Sequence, residues 1–371
     1  MSNGTVLIVA YSARALAQSA RRAGYVPLVA DAFGDLDTQD AAEHFVQLPH
    51  ALQRGFDAKT LIPALDALAA KAASAPIGLV TGSGFEDRPR LLHRLDQRFG
   101  LLGTPASEVR DIKHAAGFAQ LCQRLAIPHP EVSLTPPERL DGWLSKRTGG
   151  TGGGHVRHAA DTDEATKRRY FQRELRGTSA SLFAIFSGQM FYAIPTRQWC
   201  VETPDRPFRY GGAMTVSPAS DVAGQMQNAA SKLHKATALG GIISLDFRIV
   251  NDTAYLLEVN PRPGATLDLF DSIAVPLFQS HIDACKGDRF DCPPPVEEAR
   301  LSAIAYAERP VTVPNLNWPH WAADRTRSGT IVSSGQPLAT LFATASTPDA
   351  AEALGRERLA TLQDLIYGHS K

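Results

Sequence analysis

Cysteine is scarce in this chain and never clustered. Cys122, Cys200, Cys285 and Cys292 are the four in 371 residues, and no two form a CxxC pair. That excludes a disulfide framework and a thiolate zinc site, and leaves reduced structural thiols as the expectation. Net charge is absent too, since Lys+Arg and Asp+Glu stand at 38 each. A balanced chain has no global attraction for nucleic acid or an anionic membrane, so neither partner is expected and any basic cluster is local. No apolar run approaches a membrane span, and Val6–Ala10 is far too short. The opening MSNGTVLIVAYSARALAQ has neither a charged n-region nor a small-residue cleavage site. Together these point to a cytoplasmic protein. Two glycine signatures are also missing. The first strand–helix turn reads AYSARA, without GxGxxG, so it does not suit a dinucleotide even though Asp31 lies where a ribose-binding acid would. No GKS or GKT closes a Walker A loop.

What is present begins with alternation. TVLIVA, Val26–Ala30 and IGLVTG read as buried strands, with helical patterns at Ala13–Ala23 and Leu61–Ala73. This predicts a parallel α/β sheet over residues 1–104, with any ligand at the carboxyl ends of its strands. Those ends bring Ser12, Arg14, Asp35, Ser83 and Glu86 toward one cleft. There Arg14 suits a carboxylate and Glu86 an amine, and Arg209 with Tyr210 in a later loop faces the same substrate. A helix is expected over Glu108–Leu125 and another over Gln225–Leu239, with strands at Tyr170–Leu175, Ser181–Phe186 and Met190–Pro195. From about residue 296 the pattern is that of a small β-rich appendage, 296–371, ending in a helix near Pro348–Tyr367.

The chemistry concentrates in ISLDFRIVNDTAYLLEVNPRPGATLD. Two apolar runs joined by Asn251-Asp252-Thr253 predict a hairpin. Residues two apart on a strand share a face, so Glu258 and Asn260 point the same way, and Asp246 on the paired strand reaches the same space. Two carboxylates and an amide oxygen form an oxygen-only cluster, which suits Mg²⁺ rather than zinc. Arg262, held between Pro261 and Pro263, sets a fixed guanidinium beside it, a place to hold phosphate.

Two upstream segments belong with it. Lys146 opens KRTGGTGGGHV, where five of the six positions 149–154 are glycine. Glycine lets backbone N–H groups converge on phosphate oxygens, and the lysine adds a point charge. His155 and His158, with no Cys or acidic partner nearby in sequence, are expected at the surface. The strand end Gln172–Leu175, turning at Gly177, offers the backbone donor and acceptor that adenine requires.

The order Lys113, Lys146, glycine loop, Gln172–Gly177, Asp246, Glu258, Asn260, Arg262 resembles the ATP-grasp superfamily of carboxylate–amine and carboxylate–thiol ligases. The resemblance covers about residues 1–290. It implies a mixed α/β and α+β fold with an N-terminal parallel-sheet pre-ATP-grasp domain (1–104). A two-part ATP-grasp domain follows over 105–295, split into 105–170 and 171–295, and then the small C-terminal β-rich domain. It implies that Lys113 and Lys146 contact the α- and β-phosphates of ATP. The mobile loop over the triphosphate would be Thr148, Gly149, Gly150, Thr151, Gly152, Gly153 and Gly154. Gln172, Arg173, Glu174 and Leu175 would be the adenine hinge. Asp246, Glu258 and Asn260 would hold Mg²⁺, two ions bridged by Glu258, with Mn²⁺ as a substitute. Arg262 matches the arginine of the NPR motif in biotin-carboxylase-like members. Two positions depart from the pattern. Ser179 stands where relatives carry a ribose-binding glutamate. Ser244 stands where D-alanine ligase relatives carry an arginine, which leaves Arg248 as the substitute.

SARALAQSARRAGY, DAFGDLDT, GSGFEDRP and EVNPRPGAT resemble the predicted ATP-dependent carboligases, a group similar to tyramine–glutamate ligases. The tail resembles the C-terminal β-domain of biotin-carboxylase-like proteins. The implied activity is a two-step ligation. ATP phosphorylates a small-molecule carboxylate, an amine displaces the phosphate, and Arg248 or Arg262 steadies the transferred group. A carboxylase-like enzyme making carboxyphosphate, and an ATP-binding protein without catalysis, are the other two classes. A homodimer is the resemblance-based expectation.

Overall fold

A computed structural model describes residues 3–162, 168–188, 190–216 and 219–368. The N-terminal unit is a four-stranded parallel sheet in the order β3-β2-β1-β4, formed by β1 (Thr5–Ala10), β2 (Val26–Asp31), β3 (His44–Gln47) and β4 (Leu79–Thr81). Every residue of β1 is buried, as a strand covered on both faces requires. The carboxyl ends of β1, β2 and β4 open onto one cavity, where Tyr11, Ser12, Phe33 and Ser83 form part of the wall.

A small antiparallel sheet follows, in the order β5-β8-β6-β7: β5 (Val132–Ser133), β6 (Trp143–Arg147), β7 (Arg157–His158) and β8 (Arg169–Arg173). The large sheet comprises β9 (Thr178–Phe186), β10 (Phe191–Cys200), β11 (Tyr210–Met214), β12 (Gly241–Val250), β13 (Thr253–Asn260) and β14 (Ala299–Tyr306). After β15 (Val311–Thr312), it is completed by β16 (Ala322–Ala323) and, beyond β17 (Ile331–Val332), by β18 (Pro337–Ala345). Its order is β13-β12-β9-β10-β11-β14-β18-β16, so β14, β18 and β16 join this sheet, while β15 and β17 pair in a two-stranded sheet of their own. β14 pairs with β11 and continues the sheet that carries the hairpin.

Alternation divides the large sheet into two faces. Ala180, Leu182, Ala184 and Phe186 of β9, with Ile243, Leu245 and Phe247 of β12, pack beneath the helices Ala115–Arg124 and Ser220–Ala236. The opposite set holds Phe183, Ile185 and Ile242 against the N-terminal unit and the helix Leu277–Lys286. Ser179 and Ser181 share parity with Phe183, and Ser244, Asp246 and Arg248 with Ile242. These five polar positions therefore all line the cavity.

Instead of one helix over Glu108–Leu125, there are two, Ala106–Lys113 and Ala115–Arg124. His114 adopts extended backbone, and its Nδ1 accepts the Gly117 N–H, capping the second helix. A histidine ring is not among the usual cap residues, so neither periodicity nor a capping box marks the break. The break leaves Lys113 at the end of the first helix, free to turn toward the hairpin.

Candidate active site

The hairpin has a two-residue loop, with Asn251 at φ +46 and Asp252 at φ +58, as a tight turn between twisted strands demands. Simple pairing from that turn would set Asp246 opposite Leu257. The register instead shifts between Asp246 and Phe247: Phe247 faces Leu256, but Asp246 faces Glu258. One extra residue, Leu257, is accommodated as a bulge. Bulges re-aim side chains, and here Leu256 stays in the core while Leu257, Glu258 and Asn260 reach the cavity. Without it, Glu258 and Asp246 would lie on opposite faces.

The three oxygen-bearing groups are tightly held. Ser181 Oγ donates to Asp246 Oδ1 at 3.1 Å and Gln198 Nε2 to the same oxygen at 3.3 Å, while Asn260 Nδ2 donates to Asp246 Oδ2 at 2.9 Å. Lys113 Nζ donates to Asn260 Oδ1 at 3.0 Å and pairs with Glu258 Oε1. Burial pushes the Glu258 carboxyl up, but Lys113 and Lys146 outweigh it and hold the group at about 2. Burial and the neighbouring Glu258 raise Asp246. Two half-buried carboxylates side by side call for positive charge, and the Lys113 ammonium between Glu258 and Asn260 now supplies it. This donor set fits Mg²⁺, although no group of three or more His, Cys, Asp or Glu gathers among the described residues.

The small sheet supplies the opposite wall. Lys146 on β6 and Gln172 on β8 both turn inward, with Lys146 Nζ donating to Gln172 Oε1 at 3.0 Å. Gln172 Nε2 in turn reaches the Leu257 carbonyl at 3.4 Å, tying β8 to the bulge. Burial lowers the Lys146 ammonium, against the pull of Glu258 and Asp246. In the hinge, the N–H groups of Arg173 and Glu174 are already committed to the carbonyls of Glu131 and Gly142. Leu175 lines the cavity, whereas Glu174 turns to His158, 3.7 Å away.

The glycine loop lies folded over the cavity. Thr151, Gly152 and Gly153 line it, while Thr148, Gly149, Gly150 and Gly154 do not. Gly149 has φ +68 and packs on the Asp87 backbone, and the Tyr210 N–H donates to the Gly152 carbonyl at 3.1 Å. His155 is not a surface histidine: it lines the cavity. Spacing cannot reveal this, because the residues that enclose it come from other segments.

Arg262 leaves the loop after β13, and its Nε donates to Glu86 Oε1 at 2.8 Å. The other oxygen of Glu86 accepts the N–H groups of Gly84 and Phe85 at 2.9 and 3.0 Å. Glu86 is 3% exposed, so it anchors the arginine and has no free oxygen turned to a substrate amine. Arg248 Nη1 donates to Ser179 Oγ at 2.7 Å and to the Gly177 carbonyl at 3.0 Å. Arg14 is likewise committed. Its guanidinium is shared between Asp268 and Asp324, whose Oδ1 also accepts Ser12 Oγ–H at 3.0 Å. Ser12 caps no helix. Arg209 lies outside the cavity wall, over the Tyr306 ring at 3.7 Å and bonded to the Gly335 carbonyl at 2.8 Å. The groups that sequence reasoning missed are Ser181 and Gln198, which hold Asp246, and Asp268 and Asp324, which hold Arg14. Strand alternation marks Ser181. Nothing local marks Asp324, a residue 310 positions from its partner.

These elements enclose about 540 Å³ between the N-terminal sheet, the small sheet and the large sheet. Lys146, a glycine loop and a carboxylate hairpin surround one cavity, with Lys113 bonded to the hairpin, which is the arrangement expected of an ATP-grasp site. Comparison agrees, as residues 118–266 match the ATP-grasp domain family. Over those residues the chain is similar to the ATP-grasp superfamily.

Among solved structures, it resembles carboxyaminoimidazole ribonucleotide synthase from Aspergillus clavatus, complexed with ATP. The identity is 15%, coverage 97% of this chain and 98% of that one, and the TM-score 0.72. N5-carboxyaminoimidazole synthetase from Staphylococcus aureus, complexed with ADP, gives 12% identity, 96% and 97% coverage and a TM-score of 0.69. These likenesses establish the fold. The carbamoyl phosphate synthase large chain of Thermus thermophilus is 25% identical over 280 residues, 65% of this chain. The chain spans only 27% of that relative's length. Among the described residues, no helix is long and apolar enough to cross a membrane.

Proposed function

We propose that this protein is an ATP-dependent ligase that activates a small-molecule carboxylate as an acyl phosphate and joins it to an amine. The observation that carries the reading is the convergence of Lys146, Asp246, Glu258 and Asn260 on one cavity beneath a glycine loop, with Lys113 bonded to Glu258 and Asn260. Lys146 and Lys113 would hold the polyphosphate, and the loop backbone would close over it and exclude water. Asp246, Glu258 and Asn260 would hold Mg²⁺, which when bound neutralises charge on the phosphoryl oxygens. Substrate carboxylate oxygen bonds to the γ-phosphorus as the bond to ADP breaks. The amine nitrogen then bonds to the acyl carbon, phosphate departs, and the nitrogen loses its proton. Arg262, fixed by Glu86, and Arg248, fixed by Ser179, face the transferred group.

The cavity wall beyond the nucleotide end supports an amine as the acceptor. There Arg14 is matched by two carboxylates, Asp268 and Asp324, so one negative charge is left over. Aromatic residues Tyr11, Phe33, Trp199 and Tyr210 line the same cavity. A cation beside carboxylates and ring faces suits such a wall. The specific acid and amine, a place in cofactor synthesis of the tyramine–glutamate ligase kind, and a homodimer belong to this proposal.

The test pairs carboxylic acids with amines and follows phosphate release from MgATP. Turnover should require one acid and one amine, and Glu258→Gln should abolish it while the protein stays folded. Wild-type release by Glu258→Gln would sink the metal assignment. The solved neighbours' names favour a second reading, formation of carboxyphosphate. ADP production with bicarbonate and no amine would establish that one instead.

A further inference from the structure

His155 follows the glycine run, and its main chain is fastened from two sides. Arg157 Nη1 donates to the carbonyls of Gly154 and Val156, both at 2.9 Å, and Arg169 Nη2 to the carbonyl of His155 itself at 3.2 Å. Its ring is treated differently. Nδ1 is buried without a hydrogen-bond partner, and no described residue bonds to the other ring nitrogen. A ring nitrogen buried without a partner is costly, and native proteins rarely keep one without a use.

The ring is also placed deliberately. It lies flat against Gly150, where any added Cβ would overlap the imidazole. It lines the cavity, and the charges that act on it are Glu258, Lys146, Arg147 and Lys113, the phosphate end of the site rather than the hinge. Burial holds the imidazole at about 4, against the pull of Glu258, so at neutral pH it is uncharged and keeps one N–H to give.

We propose that His155 is a nucleotide-contacting residue, donating a ring N–H to a phosphoryl oxygen of bound ATP. The loop then supplies one side-chain donor beside its backbone N–H groups, and Gly150 is glycine to make room for the ring. This rests on the nucleotide reading of the cavity given above.

The test is calorimetric binding of the Mg²⁺ complex of the non-hydrolysable analogue AMPPNP, with AMP as the reference ligand. In His155→Phe, AMPPNP should bind about tenfold or more weakly, the scale for losing a hydrogen bond to a charged group. AMP affinity should be unchanged. His155→Asn, which keeps a donor, should recover part of the loss. Gly150→Ala, which displaces the ring, should reproduce the His155→Phe pattern. Equal AMPPNP affinity in wild type and His155→Phe overturns the assignment, as does an equal loss for AMP and AMPPNP. If wild-type protein binds neither nucleotide, the nucleotide reading itself fails, and this assignment with it.

Discussion

Replacing Glu86 by Gln exchanges one carboxylate oxygen for an NH₂ and should disturb the site from a distance. The carboxylate accepts at both ends: Arg262 Nε at one oxygen, the N–H groups of Gly84 and Phe85 at the other. An amide has one oxygen and one NH₂. Whichever way it lies, a donor faces a donor, and Arg262 loses its counter-charge in a buried place. Breaking one partner of a buried pair costs about 3–5 kcal/mol, and the matched shape puts Gln near ~3 kcal/mol. Arg262→Met alone leaves Glu86 buried and unpaired, at a similar cost. Glu86→Leu combined with Arg262→Met removes both charges and should cost much less than the sum, giving a coupling energy of ~3 kcal/mol. Urea unfolding followed by tryptophan fluorescence and by far-UV circular dichroism measures all of them. An acid limb adds a second check. Burial raises Glu86, but Arg262 and Lys113 more than reverse this and hold it below its ordinary 4.5. A depressed carboxyl contributes its stability above 4.5 and loses it as the pH falls through the lowered value. That part of the acid sensitivity should vanish in Glu86→Gln. A Glu86→Gln protein within ~0.5 kcal/mol of wild type, or additive single and paired losses, would refute the anchoring role.

Two further outcomes are expected. His281 accepts the Ile242 N–H at Nδ1 and meets the Leu102 carbonyl at Nε2, 3.0 Å away, and burial lowers it from 6.5 to about 4. Below pH 6.5 the unfolded chain takes the proton first, so ~3 kcal/mol of stability should drain away between about pH 6.5 and 4. His281→Gln should lack that slope in urea midpoints measured across the range. Gly153, at φ +70, packs so closely on the Phe208 carbonyl that a Cβ would collide with it. Gly153→Ala should lift the loop, weakening AMPPNP binding several-fold and admitting protease at residues 148–155 while the melting temperature stays nearly constant.

Much of the fold was legible because its signals are local. The strand runs TVLIVA and IISLDFRIV, the Asn251-Asp252 turn and the glycine loop each declare themselves within a few residues. Glu258 and Asn260 share a face, as alternation demands. The placement of Asp246 beside them, however, depends on a bulge at Leu257, a residue no pattern distinguishes from Leu256. The helix break at His114 was hidden for a similar reason, since a single ring nitrogen replaces the usual cap. The partners of Glu86 and Arg14 and the enclosure of His155 stayed hidden because their surroundings come from segments far along the chain. Glu86 and Arg14 are spoken for by Arg262, Asp268 and Asp324, and only the assembled fold shows it.

The Arg14 pairing has a mechanical side. One guanidinium ties residue 14 to residues 268 and 324, and Arg325 binds Asp37 and Asp40 just beside it. The first and last stretches of the chain are thus riveted together across the large sheet. The 132–173 sheet is held by lighter links, such as Gln172 to Leu257. The molecule is built as a braced frame with a more lightly fastened small sheet. The residues after 296 serve as the rear of the frame, and cutting them away would unpin Arg14 and loosen that wall of the cavity.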